Sequence, residues 1–86
     1  MSNLQQATAE HKVIHYTVDG EDQETREREL TPNEILRKAE VDPATHYLVE
    51  IRGRERISYQ DRGDEPIRLH QGAKFVSVFV GPTPVS

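Results

Sequence analysis

The sequence predicts one small α+β domain, in which a mixed β-sheet packs on a single short helix. Three observations predict it: an alternating apolar segment that ends in Asp19-Gly20, a helix-start signal at Thr31-Pro32-Asn33-Glu34, and a strongly apolar segment near the C-terminus. A chain of 86 residues with 34% hydrophobic residues suffices for one domain with one thin core. The expected order of elements is ββαββ(3₁₀)β. A single domain of this size leaves little room for the deep cleft in which an enzyme binds a large substrate.

Composition narrows the classes of function further. The chain has no cysteine, which excludes disulfides, thiolate nucleophiles and cysteine zinc sites and favours a reducing compartment. Its four histidines are scattered without metal-binding spacing, so we expect no metal and no cofactor. The formal net charge of −4 disfavours nucleic-acid binding. The N-terminus does not read as a signal peptide and no segment reads as a membrane span, so we expect a cytoplasmic protein that does not bind membranes.

A hairpin is predicted at the start of the domain. In residues 12–18, the side chains of Ile14, Tyr16 and Val18 alternate with those of the residues between them. The segment is also rich in β-branched side chains, which is typical of a strand. Asp19-Gly20 is a strong hairpin turn signal, since glycine tolerates positive φ. The returning strand is expected at 23–30. Its Glu/Arg content would also suit a helix, but alternating charges protect an exposed edge strand from pairing with other chains. Residues 1–11 are expected to be a disordered tail.

The helix is predicted over residues 32–40. Thr31 can cap the backbone N–H of Glu34, Glu34 can reach back to the N–H of Thr31, and Pro32 suits the first helical position. Asp42-Pro43 ends the helix, because the residue before a proline is disfavoured in the helical conformation. A helix of barely three turns is too short to stand alone, so it must pack on the sheet.

The second half of the domain completes the sheet. Short alternating segments separated by glycine turns are typical of strands, and the last segment contains the apolar run FVSVFV. The domain is therefore expected to span residues 12–80. Its remaining elements are a third strand at 47–52, a turn at Gly53-Arg54, a fourth strand at 56–59, an extended or 3₁₀-like element at 66–70, and a last strand at 74–80.

Four segments carry a resemblance to a known family. They read IHYTVDGE, LTPNEILRKAEVDP, YLVEIRG and IRLHQGAKFVSVFV, and together they resemble the bacterial multi-ubiquitin family of ubiquitin-like proteins. The resemblance spans Val13 to Val80, nearly the whole domain. It implies a ubiquitin-like β-grasp fold and partners that are E1-like activating enzymes, E2-like conjugating enzymes and JAMM-type proteases. It also implies a protein modifier that is joined covalently to target proteins rather than an enzyme.

The C-terminal tail departs from the pattern of ubiquitin-type modifiers, which end in Gly-Gly. Here a single Gly81 is followed by five residues that begin with Pro82. The two prolines bar residues 81–86 from a sheet interior, so we expect a flexible tail. Either a protease trims the chain after Gly81, or an activating enzyme accepts a different end, or the chain is never conjugated. Our hypothesis is trimming, which makes Gly81 and Pro82 the expected conjugation and processing site.

The phase of the third strand decides which of its side chains could meet a partner. Gly53 is placed as the glycine that follows this strand in ubiquitin-like domains. Val49 and Ile51 are then expected to face the core, while Leu48 and Glu50 face outward. On the last strand, Val76 and Val78 are likewise expected to face the core, while Ser77 and Phe79 face outward.

This phase predicts a partner-binding patch on the outer side of the sheet, because exposed aromatic and aliphatic side chains mark interfaces. The reversed phase, in which Phe75 and Phe79 belong to the core, stays open. Two functions therefore follow: a conjugated modifier, or a non-conjugated module that binds partners through the sheet face or the charged edge strand. The residues expected in the patch are Leu48, Glu50, Phe79 and His15.

Overall fold

The computed structural model describes residues 12–80, which form a small α+β domain with a five-stranded mixed sheet, a two-stranded sheet and one helix. The two predicted tails, 1–11 and 81–86, lie outside the described residues. The arrangement of sheet and helix is compatible with a β-grasp.

The domain begins with the predicted hairpin. Strand β1 (Ile14–Val18) pairs antiparallel with β2 (Glu21–Thr25) across a turn in which Asp19 has a φ of 54° and Gly20 a φ of 83°. Two successive positive φ values define the type I′ turn that Asp-Gly favours, so the predicted turn is confirmed. The predicted strand at 23–30 is wrong in two respects. It begins two residues earlier, at Glu21. A bend at 26–28 divides it, and a separate short strand β3 (Glu29–Leu30) follows.

Helix α1 (Pro32–Lys38) starts as the sequence predicts. The backbone N–H of Glu34 donates to Thr31 Oγ1 at 3.1 Å, and the N–H of Thr31 donates to Glu34 Oε1 at 2.9 Å. This reciprocal capping box satisfies two N–H groups that the first helical turn leaves free. The helix ends two residues before the predicted position, because Glu40 adopts a positive φ of 64°.

The second half of the described chain forms four strands, of which the first and the last are the longest. Strand β6 (Ile67–Arg68) pairs antiparallel with β3, so the predicted short element before the last strand is extended rather than 3₁₀. The strands predicted at 47–52, 56–59 and 74–80 each lie within one residue of an observed strand. The observed bounds are β4 (His46–Arg52), β5 (Glu55–Ser58), β6 (Ile67–Arg68) and β7 (Ala73–Phe79).

The large sheet has the strand order β2-β1-β7-β4-β5. Strand β7 is central: it pairs parallel with β1 on one side and antiparallel with β4 on the other. The sheet is therefore mixed, as predicted. Within residues 12–80, β2 and β5 form its two edges.

The core lies between the large sheet and α1. Ile35 and Leu36 of the helix are fully buried, and they pack with inward residues of the central strands. Tyr16 and Phe75 contact each other edge to face, with ring centroids 5.9 Å apart. Burial of such side chains is the main favourable contribution to folding. The buried cluster consists of Ile14, Tyr16, Val18, Leu30, Ile35, Leu36, Leu48, Leu69, Ala73 and Phe75.

Candidate functional site

The face of the large sheet opposite α1 carries a row of apolar side chains. In the antiparallel pairing of β4 with β7, Val49 lies opposite Val76 and Tyr47 opposite Val78. Ile51 continues the row on β4. Val49 is 6% exposed, because its neighbours on this face surround it, and the other four side chains are half-buried. We call this set the open-face strip: Tyr47, Val49, Ile51, Val76 and Val78.

Two cations border one end of the open-face strip. Ile51 lies opposite Arg56 on β5 and opposite Lys74 on β7, and both of these cations are exposed. Apolar surface rimmed by polar groups is typical of protein–protein interfaces. An apolar strip with cations at its rim fits a partner that offers an apolar side chain beside a carboxylate.

The structure corrects the predicted phase of β4. Leu48 and Glu50, expected to face outward, are 0% and 2% exposed and point to the core side of the sheet. Val49 and Ile51, expected in the core, belong to the open-face strip. In a strand, a shift of phase by one residue exchanges every side chain between the two faces. Apolar residues occupy both phases of β4, so alternation alone could not choose between them.

The structure likewise corrects the phase of β7. Phe75 is 2% exposed and packs in the core, whereas Val76 and Val78 face outward. Ser77, predicted to face outward, lies in the inward phase and is half-buried. Phe79 shares the phase of Phe75 but extends past the end of the core, where 66% of it is exposed. The predicted exposure of Phe79 is thus confirmed for a different reason, and its contact with a partner stays a prediction.

The chain leaves the sheet next to an exposed apolar group. The Phe79 ring contacts the His46 ring with centroids 5.2 Å apart, and the neighbouring Val80 is 47% exposed. The backbone N–H of Val80 donates to the carbonyl of Thr45 at 2.7 Å. This bond holds the chain to the sheet up to Val80. The predicted processing residues Gly81 and Pro82 come next in the sequence and lie outside the described residues.

Glu50 lies at the centre of a polar cluster that the sequence did not predict. Tyr59 donates its hydroxyl to Glu50 Oε1 at 3.2 Å, and Arg52 Nε donates to Oε2 at 3.0 Å. His70 Nε2 lies 3.3 Å from the same Oε2. The Glu50 side chain is 2% exposed, while those of Arg52 and His70 are about half exposed. A buried carboxylate is tolerated when it is paired and hydrogen-bonded in this way.

The Glu50 cluster has a structural consequence. Tyr59 follows β5 and His70 precedes β7, so one carboxylate fastens both ends of the segment at 59–70 to the sheet. The hydrogen bond with Glu50 raises the pKa of the Arg52 guanidinium. Burial, followed by the charge of Glu50, raises the pKa of the Tyr59 phenol. The cluster therefore keeps Arg52 charged and Tyr59 neutral, as donors to one acceptor.

The remaining predicted residues are placed as follows. His15 is exposed on the open face beside Glu24, with 3.7 Å between His15 Nδ1 and Glu24 Oε1. It lies on β1, at the end of the sheet away from Phe79, so the structure does not bring the predicted patch together. The three lysines, Lys12, Lys38 and Lys74, are all exposed.

Within residues 12–80, no group of three His, Asp or Glu side chains is arranged to hold a metal ion. The one helix in this part of the chain is also too short to cross a bilayer. Comparison of the chain with protein-family models, with curated proteins and with solved structures found no match.

Proposed function

We propose that the chain is a ubiquitin-like β-grasp protein modifier of a bacterial conjugation system. In this proposal an E1-like enzyme activates its C-terminal tail, and an E2-like enzyme transfers it to target proteins in the cytoplasm. A JAMM-type or other protease removes the residues after Gly81. The chain itself then needs no catalytic residue, since its C-terminal carboxylate is the group that reacts.

The strand order of the large sheet is the observation that carries this proposal. In this proposal the tail must follow directly from a part of the sheet that is paired on both sides. Strand β7 meets this requirement, because β1 and β4 pair with it on both sides. The capped helix α1 packs across the same sheet.

The end of β7 also supports the proposal. The chain is held by the Val80 N–H bond to Thr45, and the next residue is Gly81. Exposed Phe79 and Val80 lie immediately before it and offer an apolar contact for an enzyme that handles the tail. The tail is thus attached to the folded domain through one short, exposed segment.

The proposed processing step is hydrolysis of the Gly81-Pro82 peptide bond. One water adds across the bond, which leaves a carboxylate on Gly81 and a free secondary amine on Pro82. A glycine carboxylate has no side chain to obstruct a narrow enzyme channel. The activating enzyme would adenylate the Gly81 carboxylate with ATP and release pyrophosphate. Transfer of the acyl group to a target lysine, directly or through an enzyme cysteine, would then release AMP and form an isopeptide bond.

The proposal is tested by expressing the full chain with the E1-like, E2-like and protease genes of its own genome. Intact mass spectrometry should show a chain that ends at Gly81, and immunoblots should show adducts of higher mass. Gly81→Ile should abolish the adducts without changing the folded domain. Ser86→Ala, a change at the far end of the same tail, is the matched control and should leave them unchanged.

A second candidate function rests on the open-face strip and its two bordering cations. In this alternative the domain is not conjugated and recruits an acidic, partly apolar partner through the sheet face. The same experiment separates the two. Wild-type chain that forms no adducts and keeps Pro82–Ser86 in the presence of the enzymes would exclude the modifier and leave the docking module.

A further inference from the structure

The two edges of the large sheet carry opposite charge. Strand β2 presents three carboxylates and no cation: Glu21, Asp22 and Glu24. The other edge, β5 with the turn before it, presents Arg54 and Arg56 beside a single acidic residue. All of these charged side chains are exposed.

The backbone of β2 offers hydrogen bonds outward at two positions. The two-residue turn at Asp19-Gly20 brings Val18 and Glu21 together as the first hydrogen-bonded pair of the hairpin. Hydrogen-bonded and non-hydrogen-bonded pairs alternate along an antiparallel ladder. Asp22 and Glu24 therefore direct their N–H and C=O groups away from β1, towards the free edge.

The same alternation applies to β5. Arg52 and Glu55 flank its two-residue turn, so Arg56 and Ser58 direct their backbone groups to the free edge. The carbonyl of Ser58 already accepts a hydrogen bond from Arg62 Nη2. Arg56 is therefore the β5 residue with both outward backbone groups free of partners within residues 12–80.

The directions of the two edge strands are also compatible. Following the pairings across the sheet, β2 runs antiparallel to β1, β1 parallel to β7, β7 antiparallel to β4, and β4 antiparallel to β5. Strands β2 and β5 thus point in opposite directions. A second copy in the same orientation can place its β5 beside β2 as an antiparallel neighbour, with both helices on the same side.

We propose that the partner of the acidic edge is the basic edge of a second copy of this chain. Asp22 and Glu24 both offer free backbone groups, so Arg56 can lie opposite either one. Opposite Asp22, it brings Arg54 of the turn before β5 to Glu24, whereas opposite Glu24 it would bring Arg54 to Arg26. The charges therefore select the first register. Opposite charges that face each other across two strands stabilise the pairing. Within residues 12–80, Asp22, Arg54 and Arg56 have no ion-pair partner, and Glu24 has only the exposed His15, at 3.7 Å.

The charges also select head-to-tail association over the alternatives. Pairing β2 with another β2 would set carboxylates against carboxylates, and pairing β5 with another β5 would set guanidinium groups together. A head-to-tail contact leaves one free edge at each end, so it can continue into short chains of copies. The contact is small and its ion pairs are exposed, so we expect weak association, with a Kd on the order of 1 mM.

The test is sedimentation equilibrium of the full chain at about millimolar concentration and at two ionic strengths. Wild-type protein should associate at about 0.01 M salt, where the Debye length is about 30 Å, and dissociate at about 1 M, where it is about 3 Å. Reversing the acidic edge (Asp22→Lys with Glu24→Lys) or the basic edge (Arg54→Glu with Arg56→Glu) should weaken association about tenfold or more.

Mixing the two reversed variants should restore association, because each then offers an edge complementary to the other. The matched control, Glu40→Lys with Glu65→Lys, changes the net charge as much as the acidic-edge reversal but lies outside both edges, and it should associate like wild type. The proposal is overturned if wild type stays monomeric at low salt, if the control dissociates equally, if the mixture stays monomeric, or if both reversed variants associate like wild type.

Discussion

Asp19 and Ser77, 58 residues apart in sequence, are joined by two hydrogen bonds that extend the sheet past the end of a strand. Ser77 donates its backbone N–H to Asp19 Oδ1 at 2.8 Å and its hydroxyl to Oδ2 at 2.6 Å. The N–H of Asp19 donates in turn to the carbonyl of Phe75 at 2.9 Å. Since β1 ends at Val18, a turn side chain supplies the acceptor that β7 would otherwise lack.

Asp19→Ala should therefore destabilise the domain by about 1–2 kcal/mol, because it removes charge-assisted hydrogen bonds and places alanine at a positive φ. Urea unfolding measures the loss. Asp19→Gly relieves the backbone strain but not the lost bonds, so it should fall between alanine and wild type. Equal stability of the alanine variant and wild type would show that the bonds to Ser77 contribute nothing.

Removing the Glu50 carboxylate should cost more than removing any one of its donors. Glu50→Ala leaves the Tyr59 hydroxyl buried without an acceptor, and we expect a loss of about 2–4 kcal/mol. Tyr59→Phe removes one hydrogen bond and should cost about 1 kcal/mol. The double variant should be less destabilised than the sum of the two, since both changes break one interaction. Additive losses in urea unfolding would mean that Tyr59 and Glu50 are not coupled.

Removal of the Tyr16 hydroxyl group should not destabilise the domain. Its hydroxyl is buried and, within residues 12–80, has no hydrogen-bond partner. Tyr16→Phe keeps the edge-to-face contact with Phe75 and removes the unsatisfied group, so stability should be unchanged or rise by up to about 1 kcal/mol. Thermal unfolding checks this, and a loss above about 1 kcal/mol would reveal a partner for the hydroxyl.

The domain should lose stability in alkaline solution. Burial raises the pKa of Tyr16 above its ordinary value of 10.0, and burial together with Glu50 raises that of Tyr59. Above pH 10.0 the unfolded chain releases these protons first, so the folded state binds more protons and the free energy of unfolding falls with rising pH. Below that pH the contribution is fully present. The Tyr16→Phe and Tyr59→Phe double variant should show a shallower decline in unfolding experiments from pH 9 to about 12.

The two phenylalanines of β7 should respond differently to truncation. Phe75 is 2% exposed, so Phe75→Ala should cost about 3–5 kcal/mol. Phe79 is 66% exposed, so Phe79→Ala should cost less than about 1 kcal/mol. The two changes delete the same atoms from the same strand, which makes each the control for the other. Similar losses of stability in urea unfolding would show that Phe79 is part of the core.

Local signals in the sequence predicted most of the elements. Asp19-Gly20 and the box at Thr31 and Glu34 act within four residues, and both occur in the structure as predicted. The division of the second strand at 26–28 was missed, because nothing in its charged sequence distinguishes one long strand from two short ones. The phase of β4 was predicted wrongly, since apolar residues occur at both 48 and 49.

The turn at Asp19-Gly20, the helix start at Thr31 and the positions of most strands follow from local sequence, because backbone stereochemistry and capping depend on neighbouring residues. The folded arrangement alone shows that Leu48 and Phe75 face the helix, that Glu50 is buried beneath Tyr59, and that Asp19 reaches Ser77. These relationships join residues far apart in the chain. Their energies depend on which face of the sheet the helix covers, and no local pattern in a short strand carries that information.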